Sequence, residues 1–152
     1  MYKKILVPLD GSKRAEAILP HAEEMANRYG AEIIIFRVEE LYVMLEWDEV
    51  VDPAKCREKF DARKNALESY LTQIKTKFRD KGIQTHTRVV HGPVVQSILT
   101  AAQEMDVDII LMASHGLSGS QRPFYGSVTA GVLQKIDRPL LIIRTRRMER
   151  EQ

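Results

Sequence analysis

A single cysteine, Cys56, stands among 152 residues, so the chain cannot close an internal disulfide and is expected in a reducing cytoplasm. No apolar run approaches the roughly 20 residues that a bilayer-spanning helix needs, and no membrane association is expected. Charge of one sign is also lacking. The 23 basic and 21 acidic side chains leave a net +2, too even a balance to favour a nucleic-acid partner. The opening "MYKKILVPLDGS" carries two lysines, but its apolar run is short and stops at Asp10, so no secretory signal is expected. His21, His86, His91 and Cys56 have no metal-ligand spacing, and the HExxH and EF-hand patterns are missing. Internal repeats, linkers and low-complexity tracts are absent. The reading is one domain over residues 1–146 with a polar tail, 147–152, at the end of "RTRRMEREQ".

What is present is an alternation of short apolar runs and amphipathic stretches. "KKILVPL" (3–9) is β-branched and apolar and ends at "DGS", as a buried strand ending in a turn would. Ala15, Ile18, Leu19, Ala22, Met25, Ala26 and Tyr29 recur at helical spacing, with Gly30 as C-cap. "AEIIIFRV" (31–38) is the second strand. Residues 39–52 lack a clear period and read as a loop or partly helical insertion carrying the only tryptophan, Trp47. Asp52 followed by Pro53 starts a helix that runs to about Lys81, with Phe60, Leu67, Leu71, Ile74 and Phe78 as its apolar stripe. "IQTHTRVV" (83–90) is the third strand, and Val94 to Met105 mark the third helix. "VDIILMA" (107–113) is the fourth strand, a fourth helix begins near Ser127, and "RPLLIIRT" (138–145) is the fifth strand. Nearly continuous apolar strands joined by crossover helices predict an α/β fold: a doubly wound, open, five-stranded parallel sheet with helices on both faces. Such sheets bind ligands at the carboxyl ends of their strands. Those ends fall at residues 9–12, 38–40 and 112–127.

The last of these, "ASHGLSGSQRPFYGS" (113–127), holds three glycines and four serines between a strand and a helix. Glycine lets backbone amides approach a ligand, and a following helix N-terminus adds its dipole, so the stretch suits a phosphate. Ser127 and Thr129 can cap the helix or donate hydroxyls to the anion. Gly116 and Gly119 serve equally well as plain turn residues. Neither GxxxxGK[ST] nor a GxGxxG after the first strand occurs. His115 has no carboxylate near it in sequence that would make it a base, and it reads as a loop or phosphate contact.

"ILVPLDGS", "SHGLSG", "GSVT" and "DRPLLIIR" together resemble the universal stress protein family along the whole chain apart from residues 39–60. In its nucleotide-binding branch the loop reads G-x-x-G, nine residues, then G-[ST]. Here Ala113, Gly116, Gly126 and Ser127 keep that spacing, with Ala113 in place of the first glycine and Pro123 removing one amide from the stretch between. The resemblance implies an ATP or AMP site, with Mg2+ as a companion of ATP. It implies that Asp10 meets the ribose or adenine side over a floor shaped by Pro8 and Leu9. Val38 would bind adenine through its backbone, and Met112 and Ala113 would line base and ribose. Gly116, Gly126, Ser127 and Val128 would hold the phosphates through amides, Ser127 also through its hydroxyl, with Thr129 as an addition. Apart from the resemblance, Arg122 reads equally as a γ-phosphate contact or as a solvated side chain. The family's dimer pairs the last strand across a two-fold axis, here "PLLIIR" from Pro139 to Arg144. Three functions stay open: a dimeric nucleotide-binding regulatory module with an unknown protein partner, a slow ATPase, and a nucleotide-free interaction protein. The sequence offers the ATPase neither a clear base nor a P-loop lysine.

Overall fold

A computed structural model describes residues 1–40, 52–116 and 125–145. The expectations for Trp47, Gly119, Arg122, Pro123 and the tail lie outside these residues. Five strands, β1 (Lys4–Pro8), β2 (Glu32–Glu39), β3 (Thr85–His91), β4 (Ile109–Ala113) and β5 (Leu140–Ile143), form one parallel sheet in the order β3-β2-β1-β4-β5. Helices α1 (Lys13–Glu16), α2 (Leu19–Tyr29), α3 (Pro53–Asp80), α4 (Val94–Glu104) and α5 (Ser127–Lys135) alternate with them. Strand order reverses between β1 and β4, the place where a doubly wound sheet opens a crevice.

The sheet is apolar on both faces because alternate side chains of each strand enter different cores. Ile5, Val7, Ile33 and Ile35 pack under α2 and α3 with Ile74 and Phe78; Leu6, Ile34, Phe36 and Ile110 pack under α4 and α5 with Ile98 and Val132. Gly131 lets α5 close on α4, since a Cβ there would lie 2.8 Å from Val95 Cγ2.

Two expectations are corrected. The helix expected from Ala15 to Tyr29 is broken at Ala17–Ile18 into α1 and α2, and Pro20 stands in the first turn of α2, where a missing N–H costs nothing. Phe60 is not part of the buried stripe of α3; it is 55% exposed. A 28-residue helix is about 42 Å long and outruns the strands, so only its second half, with Leu71, Ile74 and Phe78, meets the sheet. The expected starts and stops hold. Asp52 caps α3 by accepting from Ala54 N at 3.0 Å, and Gly30 ends α2 in the left-handed region at φ 62°.

Candidate functional site

At the carboxyl ends of β1, β2 and β4 the strands leave a cleft of about 490 Å³, a size usual for small-molecule sites. All twelve residues singled out from the sequence line it: Pro8, Leu9, Asp10, Val38, Met112, Ala113, His115, Gly116, Gly126, Ser127, Val128 and Thr129. The sheet register explains the gathering. Pro8 pairs with Phe36, so Asp10 and Val38 each stand two residues further along neighbouring strands.

On one side the wall is backbone. Gly126 N donates to Ser114 O at 2.7 Å, and buried Thr129 donates through Oγ1 to Ala113 O at 2.9 Å. These two bonds fix the start of α5 against the end of β4. They also correct two expectations. The Gly126 amide is spent on Ser114 and the Thr129 hydroxyl on Ala113, so neither is held ready for an anion. Nor does the Ser127 side chain cap α5, whose N-cap is Gly126. The helix geometry leaves the amides of Ser127, Val128 and Thr129 without intrahelical acceptors, and the dipole of α5 points its positive end there. Gly126 leaves little room for a side chain, since a Cβ would stand 3.3 Å from Ser114 O and 3.4 Å from His115 Cα.

Ser114, which sequence reasoning passed over, organises this corner. It is 1% exposed. Its Oγ accepts from Thr145 N at 3.3 Å and lies 2.9 Å from His115 Nδ1. The hydroxyl of Ser114 so joins the chain just after β5 to the His115 ring, as donor or acceptor according to the imidazole tautomer.

The opposite wall is charged. Asp10 Oδ1 accepts from Ser12 N at 2.9 Å and Ser12 Oγ at 2.6 Å, while Ser12 Oγ accepts from Ala15 N at 3.0 Å and so caps α1. Gly11, at φ +87°, makes the turn. Asp10 Oδ2 abuts Gly116: a Cβ on Gly116 would overlap that oxygen, so only glycine admits the loop after β4 to the carboxylate. Sequence reasoning singled out none of the four other charged lining residues, Arg37, Glu39, Glu40 and Arg63. Arg37 Nε donates to Glu39 Oε1 at 3.0 Å, and Arg63 Nη2 of α3 reaches Glu39 Oε2 at 2.9 Å. Behind them Tyr70 has its hydroxyl pKa pushed well above the usual tyrosine range, first by burial and then by the charge of Glu16.

Among the described residues no group of three or more His, Cys, Asp or Glu side chains could hold a metal ion, and no helix is long and apolar enough to cross a membrane. The arrangement joins an electropositive helix N-terminus to a charged pocket wall across an apolar floor of Leu9, Phe36, Ile98 and Met112.

The same frame recurs in known proteins. Universal stress protein MJ0577 of Methanocaldococcus jannaschii is 30% identical over 95% of this chain and 96% of its own length, and its solved structure superposes with a TM-score of 0.76 over 97% of this chain and 99% of that one. Universal stress protein YxiE of Bacillus subtilis is 31% identical over 95% of this chain and all of its own length. A universal stress protein crystallised in complex with cAMP shares the fold with a TM-score of 0.69 at 21% identity, covering 95% of this chain and 98% of that one. The sequence model of the universal stress protein family matches residues 1–144, which contain every strand, both cores and the whole described cleft, and this chain therefore belongs to that family.

Proposed function

We propose that the protein binds an adenine nucleotide, ATP or AMP, in this cleft and acts as a dimeric regulatory module of the cytoplasm. The observation that carries the reading is the pairing of Gly116 and Gly126. A Cβ on Gly116 would overlap Asp10 and one on Gly126 would press on Ser114 O, and beside them lies the open N-terminus of α5. Amides of Ser127, Val128 and Thr129 suit phosphate oxygens, with the Ser127 hydroxyl beside them on the exposed first turn. Asp10 suits a sugar hydroxyl, the apolar floor a planar base, and the Val38 backbone the base's polar edge. When ATP is bound, Mg2+ offsets phosphate charge; the residues that contribute are the amides and the helix dipole. That a relative of the same fold holds cAMP is in keeping with the reading, but at 21% identity the weight rests on the cleft.

Dimerisation is supported by the contrast between the two sheet edges. β3 presents His86 and Arg88, polar side chains that discourage pairing, whereas β5 is Leu140, Leu141, Ile142 and Ile143, each only partly covered. The apolar edge calls for a second copy.

Calorimetric titration of nucleotide-stripped protein with ATP, with and without Mg2+, tests the site beside a Gly126→Val variant whose fold is checked by circular dichroism. Saturable micromolar binding that disappears in Gly126→Val is expected. Absence of heat at high protein concentration overturns the nucleotide reading and leaves a dimeric interaction module.

A further inference from the structure

We propose that Arg37 reads the sugar of the bound nucleotide: its buried Nη1 donates to a ribose hydroxyl, while Glu39 and Arg63 hold the guanidinium in position. The proposal rests on the nucleotide reading above and adds to it a residue that selects the ligand.

The starting observation is an orphan. Arg37 Nη1 is buried and has no hydrogen-bond partner among the described residues. Buried donors are almost always satisfied, because an unsatisfied one costs about 1–3 kcal/mol. Arg37 also lines the cleft that holds Asp10. Nη1 itself has almost no accessible surface, so it lies just beneath the wall of the cleft, and a ligand reaches it by a small shift of the side chain.

The orientation of that donor is set by its neighbours. Nε is fixed by Glu39 Oε1 at 3.0 Å, and Glu39, 8% exposed, is fixed in turn by Arg63 at 2.9 Å. With its side chain only 15% exposed, the Arg37 fork cannot turn out to water. Nη1 lies 3.3 Å from the point where a Cβ of Gly11 would stand, which sets it beside the turn directly after Asp10. Arg37 Nη1 is buried and Asp10 half-buried, so the corner that they flank is poor in water. Hydrogen bonds made in such a corner are stronger than bonds made in water.

Charge decides what the acceptor is. Along this wall two cations, Arg37 and Arg63, stand with three carboxylates, Glu39, Glu40 and Asp10. A phosphate would be repelled by Asp10 here and is better served at the N-terminus of α5, across the cleft. An uncharged hydroxyl is not repelled. Asp10 can only accept and Arg37 can only donate, and a ribose hydroxyl does both. The corner therefore matches a sugar hydroxyl seated between carboxylate and guanidinium.

The test compares ATP, 2′-deoxyATP and 3′-deoxyATP by calorimetry on the full chain, for wild type, Arg37→Met and Arg37→Lys. Loss of one of the two hydroxyls is expected to weaken wild-type binding about tenfold, the value of one charge-assisted hydrogen bond. Arg37→Met removes the donor and Arg37→Lys removes the fork. Both are expected to weaken ATP by about the same factor and to bring the ratio of ribo to deoxy affinity close to one. The ratio compares two ligands on one sample, so a partly unfolded variant still reports it. If wild type binds ATP and both deoxy forms equally, no group reads a hydroxyl, and if the variants keep the discrimination, a group other than Arg37 reads it; either result overturns the assignment to Arg37 while the nucleotide site stands. If wild type binds none of the three, the nucleotide reading and the Arg37 assignment fall together.

Discussion

Across the cleft, the wall made by β4 and α5 is backbone brought close by small residues, whereas the wall made by β1 and β2 is charged side chain. On the first, Thr129 and Ser114 spend their hydroxyls inside the protein, and what faces the cleft is a helix N-terminus. On the second, Arg63, Glu39 and Arg37 form a chain of ion pairs, and Asp10 is held by Ser12. The difference is one of tolerance. Backbone donors are present whatever the side chains are, provided that nothing blocks the approach, so that wall is sensitive to added atoms. The charged wall depends on particular groups and is sensitive to their removal.

The sharpest way to break the comparison is Gly116→Ala, because Gly116 touches both walls. The new Cβ would overlap Asp10 Oδ2, and Asp10 can withdraw only by giving up its bonds from Ser12 N and Ser12 Oγ. The α1 cap at Ser12 is then disturbed as well. Overpacking of this kind costs about 1–3 kcal/mol, so nucleotide affinity is expected to fall by about ten- to a hundredfold in titration calorimetry. Unchanged affinity would mean that Asp10 does not contact the ligand.

Thr129→Val probes the backbone wall alone. The substitution keeps the shape but strands Ala113 O, which accepts at 2.9 Å in the native protein. The expected loss is about 1–2 kcal/mol of stability, a fall in Tm of roughly 2–8 °C for a chain of this length. Thr129→Ser, which retains the hydroxyl, should recover most of it. A Val variant that melts with wild type would show that the bond does not hold α5 to β4. Removal of the other wall's outer support should have a smaller effect. Arg63 is 67% exposed, so Arg63→Gln is expected to cost no more than about 1 kcal/mol by denaturant titration, Glu39 keeping its bond to Arg37.

The two walls also differed in how far the sequence revealed them. Gly116, Gly126 and Ser127 lie in one short stretch, and close approach can be met only by small residues at set positions, so their spacing carries the information. Asp10 was visible for a similar reason, as the first residue of a turn directly after a strand. Arg37 looked like an ordinary strand residue in "IIIFRVEE", because its meaning comes from Glu39, from Arg63 on a distant helix, and from the turn at Gly11. Long side chains make contacts that no periodicity records. The roles of Ser114, Gly126 and Thr129 were hidden for another reason: whether a hydroxyl or amide faces a ligand or a carbonyl depends on where the end of β4 lies. The sheet itself was legible, since its central strands, buried on both faces, carry nearly continuous apolar runs such as "ILV", "IIIF" and "IILMA". The break at Ala17–Ile18 was obscured because α1 and α2 bury Ala15, Ala22 and Ala26 in the same core, although Pro20 marked where a new helix starts. Phe60 kept helical period with Leu67 and Leu71, but period cannot tell where the sheet beneath a helix stops.

A substitution at the far ends of the strands should leave both walls as they are, which makes it the finest test that the cleft is a local construction. Asp108, just before β4, accepts from Lys3 N at 2.7 Å and Lys4 N at 2.8 Å and so ties the start of β1 to that of β4. These two bonds favour its charged form, and they hold its pKa below the ordinary value of 3.8. A carboxyl whose folded pKa lies below its unfolded one binds fewer protons folded than unfolded around that pH. Its contribution is therefore complete above 3.8 and is lost as pH falls through the lower folded value. Asp108→Asn should lower stability modestly at neutral pH and flatten the part of the acid denaturation curve between 3.8 and that lower value, as followed by circular dichroism. Because Asp108 lies at the opposite ends of the strands from Asp10 and Gly116, nucleotide affinity at neutral pH should not change. A change in affinity would mean that the sheet transmits strain along β1 or β4 to the cleft, and the two walls could no longer be treated as separable.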